Sequence, residues 1–496
     1  MRSILSILND NPDTILIDSD KESVTYGQAT SRIKAIMEIL SEKNAETIAI
    51  FADNQADWIF IDFACQEKNI CCIPLPLFFS DKQLQHAISA ADVDLIFTDQ
   101  HERIRPLLNL TGDEATLINR MHIYKITKNG DSDKPEGTEK ITFTSGSTGD
   151  PKGVCLTTEQ QWRVAQSLAD AVDVTQSRHL CVLPLSTLLE NIAGVYTPIL
   201  VGGSIIFSPM KDLGFNGSAQ FQLEKLLHTI EHVQPDSLVL LPQLLLALVS
   251  AAESGWKVPA SLKFIAVGGG RVAPHLLRRA HQCRLPVYEG YGLSECASVV
   301  SLNSPDENRP GSVGKPLPHL NVEIKNKEIV VIEQSFLGYL NEPEGWYQTT
   351  VATGDLGHLD NEGYLYIDGR KKNILVSSYG RNINPEWLES ELLCHPLIQQ
   401  SVVLGDALPY CTALIYPRKT DLKDIVIEQW IDETNKRLPD YARIKAWFRL
   451  KKPLSPDDNL LTNNGKPKRL EIAKCYQTEI EQMYQHLKPL IKEQRA

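Results

Sequence analysis

Residues 47–98 read TIAIFADNQADWIFIDFACQEKNICCIPLPLFFSDKQLQHAISAADVDLIFT. The apolar run TIAIFA precedes a helix-like DWIFIDFACQEK, and a second run, ICCIPLPL, precedes KQLQHAISAA, which opens at Ser80 and Asp81; DLIFT closes the stretch. Short, continuous apolar runs between helical segments predict parallel strands buried on both faces, because a strand covered by helices above and below has no wet side to alternate toward. The same alternation returns after residue 178: LCVLPL, SIIFS, the helical FQLEKLLHTIEHV, SLVLLP, LLLALVSAAE, FIAVGGG and VYEGYG. An α/β core over residues 1–369 is therefore expected, in a large domain of more than one sheet. Past Gly369 the texture changes. A basic run, Arg370-Lys371-Lys372, leads into NILVSSYGRNINPEWLESELL, where Asn384 can cap a helix that has Pro385 at its first position. Short apolar runs, SVVLGD and TALIYP, and the helical IVIEQWIDETNKRL follow, which predicts a smaller α+β domain over 370–496 with the basic run as its hinge.

At 496 residues the chain can bury more than one core, and a hydrophobic content of 42% with 23% charged residues is the balance of a globular protein. A net charge of −12 argues against wrapping a nucleic-acid backbone, which needs a surplus of Lys and Arg. The ten cysteines show no paired metal spacing and read as small buried apolar groups, in keeping with a reducing cytoplasm. The first residues, MRSILSILNDNPDTILID, lack the pattern of a secretory signal. The longest apolar run, SLVLLPQLLLALVSAA at 237–252, is broken by Pro242 and Gln243 and is too short to cross a bilayer, so any membrane contact would be peripheral.

Chemistry is concentrated first in residues 141–154, ITFTSGSTGDPKGV. Gly146, Gly149 and Gly153 allow a tight backbone whose N–H groups approach an anion, Ser145, Ser147 and Thr148 add hydroxyls, and Lys152 adds charge. This is a phosphate cradle in composition, although a Ser/Gly loop of this kind also occurs as a plain connection. It does not have the G-x-x-x-x-G-K-[ST] spacing of nucleoside triphosphatases. Further along stand GGG at 268–270 followed by Arg271, YEGYGLSE at 288–295, TGD at 353–355, GRKK at 369–372 and NLLTNNGKPKR at 459–469.

In that order and over that span, these stretches resemble the adenylate-forming superfamily, which includes acyl-CoA synthetases, luciferases and peptide-synthetase adenylation domains. The resemblance implies that Thr144, Ser145, Gly146, Ser147, Thr148, Gly149 and Lys152 hold the phosphates of ATP. Gly269 and Gly270 would border adenine and the acyl group, Tyr291 would pack on adenine, and Gly292 beside it would belong to the same cofactor-binding motif. Ser294, where the family usually has Thr, would face the phosphates, and Glu295 would hold Mg²⁺. Asp355 would bind the ribose hydroxyls and Arg370 ribose and phosphate. Lys466 would be the mobile catalytic lysine, with Lys152 and Glu295 as its catalytic companions. Two half-reactions are then expected: a carboxylic acid and ATP give acyl-AMP and pyrophosphate, and a thiol takes the acyl group. Between them the small domain turns about Lys372, bringing the face around 376–384 to a thiol tunnel.

NILVSSYGRNINPEWLE and LPLSTLLEN, at 183–191, look most like long-chain acyl-CoA synthetases, which commonly carry His where Thr187 falls. FIAVGGG offers no carboxylate for a substrate amine, so an apolar acid is expected, with Leu185, Leu188 and Leu189 as candidate lining residues. CoA is the thiol that the resemblance implies; an acyl carrier protein presents the same arm. A nucleotide-binding regulatory protein without turnover is the other class to weigh, and the joint presence of Lys152, Glu295, Asp355, Arg370 and Lys466 argues against it. The hinge reading predicts that Lys372→Pro impairs adenylation and thiolation to different degrees, measured as separate half-reactions; equal loss of both counts against it.

Overall fold

The computed structural model describes residues 2–19, 22–108, 116–118, 121–127, 130, 132–144, 151–172, 175–216, 220–332, 336–462 and 465–485. Strands Thr47–Phe51, Cys71–Pro74 and Leu95–Thr98 are parallel neighbours, separated in sequence by helices Ala56–Lys68 and Asp81–Ala90. Ser80 starts the second helix through a capping box with Gln83, each side chain satisfying the other's backbone N–H. Among the described residues these strands belong to an eight-stranded sheet, extended at one side by the antiparallel pair Lys140–Thr144 and Lys152–Leu156. A nine-stranded sheet carries the second run of alternation: Ser204–Ile206, Arg178–Leu180, Ser237–Leu240, Phe264–Val267 and Val287–Tyr291 lie side by side and parallel. The segment LCVLPL is shorter as a strand than its apolar run suggests, because the chain leaves the sheet after Leu180. Pro242, which interrupts the longest apolar run, starts the helix Pro242–Glu253. No helix among the described residues is long and apolar enough to cross a membrane.

A four-stranded antiparallel sheet follows, and its last two strands, Thr350–Leu359 and Leu365–Arg370, set Asp355 directly opposite Arg370. Beyond it, strands Ile398–Leu404, Cys411–Pro417 and Ile444–Arg449 form a three-stranded sheet. Helices Pro385–Leu392 and Asp424–Arg437 pack on this sheet over a core that includes Leu388, Val403, Ile415 and Ile427. Asn384 caps the first of these helices, accepting from the N–H groups of Glu386 and Trp387 with Pro385 at the first position. Eight of the ten cysteines are buried, Cys283 is half-buried and Cys475 is exposed; none is in a disulfide.

One buried cation links the layers. Lys140, 1% exposed, pairs with Asp62 of helix Ala56–Lys68 at 2.9 Å and donates to Asn191 Oδ1 at 2.6 Å and to the Tyr196 hydroxyl at 2.7 Å. Tyr196 in turn donates to Asp62 at 2.7 Å. Asn191 and Tyr196 bound a π-helical turn, Asn191–Tyr196, so an ammonium on one sheet holds a segment that covers the other. Removing one member of such a pair strands a buried charge, at a cost of roughly 3–5 kcal/mol. Lys140→Met should therefore lower the apparent melting temperature markedly, whereas Lys140→Met combined with Asp62→Leu should recover part of the loss; thermal unfolding of the three proteins checks this.

Candidate active site

The strands that end at Val267 and Tyr291 deliver their following loops to a common cavity of about 440 Å³. Gly269, at φ +74°, makes the turn after Phe264–Val267 in a left-handed conformation, and a Cβ there would meet Leu241 at 2.9 Å. Gly292 tolerates no side chain, since its Cβ would lie 1.6 Å from the carbonyl oxygen of Ser298. That tight passage lets the chain turn into the short helix Ser294–Cys296 and presents Ser294 and Glu295 to the cavity.

Of the residues singled out in the sequence, Thr144, Gly269, Tyr291, Gly292, Ser294, Glu295, Arg370 and Lys466 line this one cavity. Ser145, Gly146, Ser147, Thr148 and Gly149 lie outside the described residues. Thr144 and Lys152 are paired across the antiparallel ladder. Gly270 and Lys152 do not line the cavity; the Lys152 ammonium instead pairs with Glu342 at 2.7 Å and lies 5.0 Å from the centre of the Tyr339 ring. Tyr339 connects the two halves, donating its hydroxyl to Glu295 Oε1 at 2.7 Å. Neither Tyr339 nor Glu342 is visible as functional in the sequence, because only the pairing of Gly338–Tyr339 with Lys152–Leu156 brings them here. Leu188 and Leu189 do line the cavity, whereas Leu185 is packed in the main core.

Asp355 stands one hydrogen bond behind the lining. Its Oδ2 accepts from the Tyr291 hydroxyl at 2.7 Å, and Arg370 Nε lies 3.1 Å from Oδ1. Arg370 also donates to the Thr353 carbonyl at 2.8 Å, which fixes its guanidinium at the base of the hairpin. Burial raises the pKa of the Asp355 carboxyl above the ordinary value, against the pull of Arg370 and Tyr291.

Lys466 arrives from the far end of the chain. Its neighbours are committed elsewhere: Lys468 donates to Asn459 at 2.6 Å and Arg469 to Glu389 at 2.7 Å. Lys466 alone of the three reaches the cavity. The residue is exposed to water while it lines the cavity. Desolvation first, then the charge of Arg370, lowers its pKa below that of an ordinary lysine, while Glu386 and Asp355 oppose the shift. A cavity with a hydrogen-bonded carboxylate, an arginine and a desolvated lysine at one end can bind an anionic nucleotide and stabilise negative charge that develops there.

These features match known proteins across nearly the whole chain. Residues 7–335 match the AMP-binding enzyme family, and residues 372–488 match the AMP-binding enzyme C-terminal domain. The chain belongs to the AMP-binding enzyme family, the family that holds acid–CoA ligases. A long-chain-fatty-acid–CoA ligase of Mycobacterium bovis is 27% identical, over 82% of this chain and 80% of its own. A 2-succinylbenzoate–CoA ligase of Bacillus subtilis is 25% identical, over 92% of this chain and 96% of its own. Among solved structures, the anthranilate CoA ligase AuaEII in complex with anthranoyl-AMP superposes with a TM-score of 0.78 at 17% identity, covering 96% of this chain and 97% of that one. That likeness shows the adenylate-forming fold, a multi-sheet α/β body with a smaller C-terminal part.

Two residues before Tyr291, Glu289 is buried, and desolvation pushes its pKa up to about 8 against the opposing charge of Arg271. Between its ordinary value of 4.5 and about 8, the folded protein keeps this proton and the unfolded chain releases it. Stability should therefore fall as pH rises through that window, by up to about 1.4 kcal/mol per pH unit from this group. Glu289→Gln should flatten the decline, measured by denaturant titrations from pH 5 to about pH 9.

Proposed function

We propose that this protein activates a fatty or other apolar carboxylic acid with ATP and Mg²⁺, releasing pyrophosphate, and then passes the acyl group from acyl-AMP to CoA. The observation that carries the reading is the convergence of Tyr291, Glu295, Arg370 and Lys466 on a cavity that continues into a chamber walled by Leu168, Leu189, Val201 and Phe264. Charge sits at one end and hydrocarbon at the other. A relative named for long-chain fatty acids fits this description, whereas 2-succinylbenzoate, a keto-dicarboxylate for which another relative is named, is more polar.

In this reading, attack of the acid's carboxylate on the α-phosphate brings two anions together, and the Lys466 ammonium bridges them as charge accumulates. Asp355 offers two oxygens to a vicinal diol, with Tyr291 and Arg370 fixing its orientation. Glu295 suits a hard cation: Tyr339 occupies one carboxylate oxygen, and the other has no protein hydrogen bond among the described residues. Mg²⁺, when bound there, supplies charge neutralisation at the phosphates. Lys152 would leave Glu342 to meet them. For the second half-reaction, residues 370–496 act as a mobile domain that withdraws Lys466 and brings in the face around 376–384, where Val376 and Tyr379 stand exposed.

Acid-dependent exchange of labelled pyrophosphate into ATP tests the activation step, and CoA-dependent release of AMP tests the transfer. Lys466→Ala should lower exchange by roughly 100-fold or more, yet leave transfer from supplied acyl-AMP within a few-fold of the parent. Equal loss in both assays would remove Lys466 from the role given to it.

A further inference from the structure

The chamber is not apolar to its end. Strands Arg178–Leu180, Ser237–Leu240 and Phe264–Val267 run parallel, with His179 opposite Ser237 and Ser237 opposite Phe264. Alternate residues share a face of a sheet, and the face bearing His179, Ser237, Val239, Phe264 and Ala266 lines the cavity. Nucleotide-side groups follow the C-terminal ends of these strands; Ser177, Ser237 and Phe264 lie at the N-terminal ends. Phe264 and Gly268 are four positions apart, so the far end lies about 13 Å below the glycine turn.

There, four polar side chains form a chain of hydrogen bonds. Glu190 Oε1 lies 2.9 Å from His179 Nε2, His179 Nδ1 lies 2.9 Å from Ser237 Oγ, and Ser237 Oγ lies 3.0 Å from Ser177 Oγ. Glu190 and His179 are 0% and 2% exposed, Ser177 and Ser237 under 10%. The other Glu190 oxygen accepts the Leu183 N–H at 2.9 Å. Gly194 of the π-helical turn makes room for the pair, since a Cβ there would lie 2.4 Å from Glu190 Oε1. Ser237 has a partner on each side. Ser177 ends the chain with one partner among the described residues, and it lines the cavity.

A hydrocarbon tail that filled the chamber would press its terminal methyl on this floor and leave the Ser177 hydroxyl's remaining capacity desolvated and unmet, which is unfavourable. A second carboxylate would find no lysine or arginine to pair with at that end of the lining. We infer that Ser177, Ser237, His179 and Glu190 read a neutral hydrogen-bonding group, a hydroxyl or a ketone oxygen, at the end of the acyl chain remote from the activated carboxylate. The preferred substrate is then an acid with an apolar middle and a neutral polar far end. This inference rests on the acid-activation reading above and narrows it.

Pyrophosphate exchange with straight-chain acids from hexanoate to dodecanoate, each compared with its ω-hydroxy, terminal methyl ketone and ω-carboxy counterparts, tests it. At the best-fitting length, the ω-hydroxy acid or the ketone should exceed the plain acid in kcat/KM by about ten-fold or more, as expected where a buried polar group would otherwise go unpaired. The ω-carboxy acid should rank last. Ser237→Ala, and separately Ser177→Val, should collapse the ratio between functionalised and plain acids toward one. A merely structural floor would lower all acids together and leave the ratio unchanged, which overturns the proposal, as does a plain or ω-carboxy acid ranking first. Exchange with no acid at all would instead overturn the activation reading beneath it.

Discussion

An ammonium with no access to water organises the large body of this protein. Lys140 sits on the strand that leads to Thr144, and its three partners come from helix Ala56–Lys68 and from the π-helical turn. A lone charge in this position would be prohibitive, and what makes it tolerable is that Asp62, Asn191 and Tyr196 all point at it and at one another. The network therefore fixes where the turn Asn191–Tyr196 lies, and that turn is one wall of the chamber through Ala193. Hydrocarbon packing alone would allow the two sheets to slide; directional bonds to one cation do not.

The second constraint is the hairpin of Thr350–Leu359 and Leu365–Arg370. By register it places Asp355 against Arg370, so the carboxylate and the guanidinium are positioned by backbone hydrogen bonds rather than by loop conformation. Arg370 is also the residue after which the chain enters the small α+β portion. Arg370 thus both lines the cavity and stands at the base of the proposed hinge, and its charge acts on Lys466.

Much of this was legible in the sequence, for physical reasons that differ by element. Parallel strands were readable from uninterrupted apolar runs because burial on both faces removes alternation, and helix starts at Ser80 and Asn384 were readable because capping is local chemistry. The tight turns at the cavity were readable because their glycines answer to local backbone demands, as at Gly269 and Gly292. What stayed hidden depends on pairing between distant segments. Tyr339 reaches Glu295 only through an edge strand, and Lys152 is diverted to Glu342 by the same pairing. His179, Ser237 and Glu190 come from three separate segments, each ordinary where it stands, and only strand register joins them. The π-helical turn left no periodic signature, since its extra residue per turn is imposed by the Lys140 network and the Gly194 contact.

The distribution of sulfur has a practical corollary. Eight thiols are sealed in the interior, and the exposed one, Cys475, ends the helix Arg469–Cys475 that begins three residues after Lys466. A maleimide dye or spin label would thus find a natural attachment point on the part of the chain proposed to move, with half-buried Cys283 the competitor to replace. The proposed rotation of residues 370–496 could be followed spectroscopically with almost no engineering of the polypeptide.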